Sequence, residues 1–150
     1  MFVPKIPEQS ENAPTQGKKR INSKQKGNSY ERLMARKFRD LFGFLFCKTS
    51  RQASRLLDDC GIDLSGIPIN VSLKCGYKKA RPKPEELLKA ITQRLAENFP
   101  KEDPIHKQLT FIIHKLDGHH PAHHLVYMTF DTWVELMAGY LSLKNAGRNE

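Results

Sequence analysis

Gly61-Ile62-Asp63-Leu64-Ser65-Gly66-Ile67-Pro68-Ile69-Asn70-Val71-Ser72-Leu73-Lys74 is the stretch on which the fold turns. From Ile69 onward, Ile69, Val71 and Leu73 alternate with Asn70, Ser72 and Lys74, the period of two of a strand with one buried face. Asn70, Ser72 and Lys74 therefore share the other face. Upstream, Ile62 and Leu64 flank Asp63 in a short extended run, and Ser65-Gly66 supplies a turn. Asp63 can then approach the face of Ser72 and Lys74 from a neighbouring strand.

Working outward, Tyr30, Leu33, Met34, Phe38, Leu41 and Phe42 recur at the three-and-four spacing of one helix face, with Gly43 as a stop. This predicts a helix opening at Asn28. Residues 44 to 48 read as a strand and residues 49 to 59, with Arg51, Gln52 and Arg55, as a polar connection. Beyond Lys74, Lys78, Lys79, Arg81 and Lys83 make a basic loop without an acid. Pro82 and Pro84 then prepare a helix whose stripe is Leu87, Leu88, Ile91, Leu95 and Phe99. Two strands are expected over residues 109–115 and 125–130, separated by an Asp117-Gly118 turn and a histidine-rich stretch. A last helix, capped by Thr129 or Asp131, would turn Trp133, Leu136, Met137, Tyr140 and Leu141 inward. The order is helix, three strands, helix, two strands, helix: an α/β domain with a mixed central sheet flanked by helices. It would run over residues 28–145, after a flexible basic tail at 1–27 and before a short tail at 146–150.

The 25 Lys and Arg against 16 Asp and Glu leave a net charge of +9, which favours an anionic partner. Tail residues Lys5, Lys18, Lys19, Arg20, Lys24 and Lys26 contribute to it, either as a solvated leader or as an arm along phosphates. No window approaches the roughly 18 consecutive apolar residues of a membrane span, and the start has no apolar signal region. A cytoplasmic protein without a membrane partner is expected. Cys47, Cys60 and Cys75 are odd in number and widely spaced, so reduced thiols are expected rather than disulfides or a zinc ribbon.

Oxygen ligands converging beside a lysine suit a metal-dependent phosphodiesterase, and a strand delivers them economically because positions n and n+2 face one site. Gly27-Asn28-Ser29-Tyr30-Glu31-Arg32, Arg51-Gln52, Gly61 to Pro68 and Val71-Ser72-Leu73-Lys74 together resemble the PD-(D/E)XK nucleases, specifically the small archaeal and phage Holliday junction resolvases. The resemblance covers roughly residues 24 to 76. It implies a restriction-endonuclease-like core and a magnesium- or manganese-dependent endonuclease acting on branched DNA, as a homodimer, in the host cytoplasm if phage-encoded. Residue by residue, Glu31 matches the helix glutamate, Asp63 the metal aspartate and Lys74 the lysine, while Ser72 stands where the family has glutamate. Catalysis would then rest on Glu31, Asp63, Ser72 and Lys74, with metal on Glu31 and Asp63. Arg51, Arg55, Lys78, Lys79 and Arg81 flank that site in the chain and would meet phosphates. Asp58 or Asp59 is the nearest acid in sequence to compensate for Ser72, which also leaves open a second class, a nuclease fold that holds DNA without cutting it.

Plainer readings stand beside these. Asn28 and Glu31 fit the N-cap and third position of a capping box. Asp63 fits a turn residue bonding its own backbone, and Lys74 a solvated strand end. His119, His120, His123 and His124 read as a solvated hairpin tip, since zinc sites usually pair such histidines with close cysteines or carboxylates.

Overall fold

Helix α1 (Ser23–Phe42) begins where Asn22 accepts the backbone N–H of Gln25 on its side-chain oxygen, at 2.8 Å. That start lies five residues before the expected one. Lys24, Gln25 and Lys26 favour helix, so residues 23–27 extend the helix instead of belonging to a tail. The helix stops at Gly43, which adopts φ +70° and donates its N–H to the Arg39 carbonyl. In the computed structural model, residues 22–76 and 81–147 are described; the expectations for residues 1–21, Lys78, Lys79 and residues 148–150 lie outside them.

After α1 the expected strand at 44–48 contracts to β1 (Lys48–Thr49), because Leu45 and Phe46 face solvent while Cys47 turns inward. The polar connection at 49–59 is two short helices, α2 (Ser50–Ala53) and α3 (Arg55–Asp59). Its Ser54 is a cap, with the hydroxyl accepting the Leu57 N–H at 3.4 Å. Strand β2 (Leu64–Ser65) pairs antiparallel with β1. Strand β3 (Asn70–Lys74) pairs in parallel with β4 (Thr110–His114), the arrangement that requires a crossover, here made by α4 (Pro84–Asn98). Strand β5 (Leu125–Tyr127) runs antiparallel to β4. The protein is thus a mixed α/β domain with a two-stranded and a three-stranded sheet.

Each face of the three-stranded sheet has its own helix. Tyr30, Met34, Ala35 and Phe38 of α1 pack on Val71, Leu73 and Ile113. The opposite face carries Asn70, Ser72 and Ile112, and the Asn70 amide donates to the Ile105 carbonyl. Ile105 packs with Cys60, Ile62 and the Ile91 and Leu95 stripe of α4. Cys47, Cys60 and Cys75 are free thiols, the first two buried.

Three expectations at the C-terminal end change. Strand β5 ends at Tyr127, because the Thr129 hydroxyl accepts the Thr132 N–H and starts α5 (Phe130–Ala146) there. Trp133, Leu136, Tyr140 and Leu141 do not turn inward; no residue of α5 is buried. Within the histidine stretch, His119, His120 and His123 are exposed, but His124 is half-buried and its Nδ1 sits 2.9 Å from the Tyr30 hydroxyl.

Gly66 closes the β2 turn at φ +76°, where a Cβ would stand 2.3 Å from the Phe46 carbonyl oxygen. Gly43 has a similar φ but open space around it. Gly66→Ala should therefore cost about 2 kcal/mol or more, and Gly43→Ala about 1 kcal/mol, from left-handed strain alone. Urea unfolding of the two variants checks the difference, and equal losses would contradict the close approach.

Candidate active site

Asp63 follows the buried Ile62 and precedes β2, so its backbone lies between the two sheets. Its N–H donates to the Val71 carbonyl at 2.8 Å, and its carbonyl accepts the Ser50 N–H at 2.8 Å. The side chain turns to β3 as well. Oδ2 accepts the Leu73 N–H at 2.5 Å, and the Ser72 hydroxyl donates to the same oxygen at 3.5 Å. A turn residue bonding its own local backbone would not make these contacts, so that reading of Asp63 does not hold. Burial pushes the carboxyl above the usual aspartate range, against the pull of the Leu73 N–H and the Lys74 ammonium.

Glu31 reaches the same region from α1. It sits well inside the helix, whose cap is Asn22, so it is not the acidic half of a capping box. Its side chain is 8% exposed, and Arg51 Nε lies 3.3 Å from Oε2. Arg51 also faces Asp58 of α3 at 3.7 Å. Burial raises the Glu31 carboxyl to about 6, helped by the negative charge of Asp63 and opposed first by Arg51. Lys74, half-buried at the end of β3, lowers both Glu31 and Asp63, which places its ammonium in the same electrostatic neighbourhood.

The structure thus brings Glu31, Asp63, Ser72 and Lys74 together. Ser72 is 1% exposed and directed at Asp63, where it fills a buried position without adding charge. Arg51 stands among the carboxylates. Arg55 is exposed and loosely paired with Asp59 at 3.9 Å, and Arg81 is exposed. Sequence reading passed over Asn28 as anything but a cap. It is one helical turn before Glu31, and that i, i+3 spacing is the signal that would have grouped them. Asn28 and Glu31 line a cavity of about 60 Å³ with Arg32, Thr49, Arg51 and Gln52, and the buried Asn28 Oδ1 has no hydrogen-bond partner among the described residues.

Among the described residues no three His, Cys, Asp or Glu side chains converge as a metal-holding group. Magnesium asks for less, since it is commonly held by one or two carboxylates and keeps several waters. Glu31 and Asp63, with the unpartnered Asn28 oxygen nearby, are hard oxygen donors of that kind. Comparison with family models, curated proteins and solved structures finds no match to this chain.

Because the folded Glu31 holds its proton more tightly than the unfolded chain, its charge opposes folding. That cost is absent below about pH 4.5 and grows as pH rises through about 6. Glu31→Gln should accordingly stabilise the protein at pH 7 by about 1–2 kcal/mol and by nothing measurable at pH 4. Denaturant titrations at the two pH values check it; a gain that is the same at both would show that it does not come from the Glu31 charge.

Proposed function

We propose that this chain is a metal-dependent DNA endonuclease of the Holliday junction resolvase type, with Glu31 and Asp63 as metal-holding carboxylates and Lys74 beside them. One observation carries the reading: two acidic side chains, distant in sequence and both buried, meet next to a lysine at the end of β3, with their carboxyls raised. Such an arrangement opposes folding and is characteristic of sites that do chemistry. The parallel β3–α4–β4 unit supports the α/β core that the resemblance implies, while β1 and β2, with α2 and α3 between them, stand apart in a two-stranded sheet of their own instead of joining one central sheet.

Magnesium or manganese bound there would neutralise charge on the phosphate and acidify a water. Glu31, with a carboxyl near 6, is ionised at pH 7 and basic enough to accept a proton from that water. Lys74 would stabilise charge developing on the phosphate. Arg51 holds Glu31 in place through its Nε and is not free for DNA while it does so. Phosphate contact then falls to Arg55, Arg81, Lys78, Lys79 and the basic N-terminal segment, which carry charge but no base information. Binding follows DNA shape and weakens with salt. A four-way junction offers two symmetric cleavage points, which suits a pair of chains.

The second reading, a nuclease fold that only holds branched DNA, is favoured by Ser72, whose buried hydroxyl replaces a carboxylate. Incubation with a four-way junction, a duplex and single strands in magnesium, manganese or EDTA separates the two. The nuclease reading expects junction nicking with either metal and none in EDTA. Asp63→Asn, which keeps an oxygen for the Leu73 N–H, should lower cleavage about 100-fold or more while leaving junction affinity within a few-fold. Tight metal-independent binding without cleavage would establish the holding role. Neither binding nor cleavage would remove both readings.

A further inference from the structure

Helix α5 carries Phe130, Trp133, Val134, Met137, Tyr140 and Leu141 at the three-and-four spacing of one face, and none of them is buried. Phe130 is 73%, Trp133 47% and Tyr140 57% exposed. A helix with so broad an apolar face is ordinarily held by covering that face. At ~150–250 Å² per large aromatic side chain, the exposed fractions of Phe130, Trp133 and Tyr140 come to on the order of 350 Å². Val134 and Leu141 beside them, with the groove described next, carry the area toward the roughly 800 Å² each partner contributes to a standard stable interface.

A place of matching character lies elsewhere on the same chain. Met34, Phe38 and Phe42 of α1, with Phe111, Ile113 and Val126 of the sheet, line an open groove of about 510 Å³ on the α1 face. The chain's own α5 does not cover it. The first turn of α5, with Thr132 and Glu135, borders Leu88 and Thr92 of α4, on the opposite face of the sheet. A short connection, Met128 and Thr129, fixes that departure directly after β5.

We propose that two copies of this chain exchange α5, each helix lying in the α1-face groove of the other. The contact is isologous, so one apolar helix and one apolar groove per chain are both satisfied in a closed pair with none left over. Charge agrees. In a chain of net charge +9, α5 carries Asp131 and Glu135 against the single Lys144, and Lys37 lines the groove it would enter. The pairing rests on no feature of the nuclease reading and stands or falls separately.

The test is light scattering of the full chain at micromolar concentration, with Trp133→Asp as the helix variant and Val126→Arg as the groove variant. Both side chains are exposed in the single chain, so far-UV spectra should stay unchanged; Phe42→Glu replaces Val126→Arg if that spectrum is lost. The wild type should weigh two chains. Each variant alone should weigh one, its dimer weakened by about 30-fold or more. An equimolar mixture should regain a two-chain species, because one intact helix then meets one intact groove. A wild type of one chain overturns the exchange, whether its own helix or its N-terminal segment fills the groove. A dimeric groove variant also overturns it, since α5 would then pair elsewhere, and so does a mixture that stays at one chain.

Discussion

Asp63 is the tie on which the arrangement depends. Its backbone bonds to Val71 on one side and Ser50 on the other, and its carboxylate accepts the Leu73 N–H, so a single residue joins the two-stranded sheet to β3. Strand β2 is only two residues long and cannot pair along the free edge of β3. The side chain takes over where the strand ends and satisfies a backbone donor that would otherwise lie buried without a partner. A buried carboxylate is an expensive way to cap an edge, and two donors, the Leu73 N–H and the Ser72 hydroxyl, with the Lys74 charge nearby make it tolerable.

The same economy governs Glu31. Helix α1 is held on the sheet by Tyr30, Met34, Ala35 and Phe38, and packing of that face carries Glu31 into contact with Arg51 whatever its own preference for water. Arg51 is half-exposed, so it offsets the charge without being buried itself. Packing and solvation pull in opposite directions here: the apolar packing of α1 and β3 supports carboxylates that would each be more comfortable protonated or solvated.

The two faces of the three-stranded sheet are unequal. On one, α4 and the segment around Ile105 cover the strands; on the other, α1 covers β3 and much of β4 and leaves a groove open beside the exposed Phe42 and Val126. Among the described residues, an apolar helix without a seat and an apolar groove left open are two sides of one imbalance, and burial against another surface is the physical way such faces leave water.

Local pattern was enough for much of this. The alternation of Ile69, Val71 and Leu73 defines β3, the spacing of Tyr30, Met34 and Phe38 defines α1, and the Pro84, Ile91 and Leu95 pattern defines α4, because each depends only on which side chains prefer the core. Asp63, Ser72 and Lys74 could be grouped from the same pattern, whereas Glu31 joined them only through the family resemblance. Other features needed tertiary structure. The start of α1 moved to Asn22, since a cap is decided by one hydrogen bond and not by periodicity. The polar run at 49–59 became two helices, the second of them started by Ser54, because a serine caps a helix as readily as it makes a loop. Above all, the apolar stripe of α5 reads as a buried face, and the sequence itself determined that this face is apolar. Where the helix departs from the sheet, and hence that no part of the chain among the described residues covers it, was decided only by the tertiary structure, because hydrophobic patterning fixes which surface must leave water and not which surface receives it.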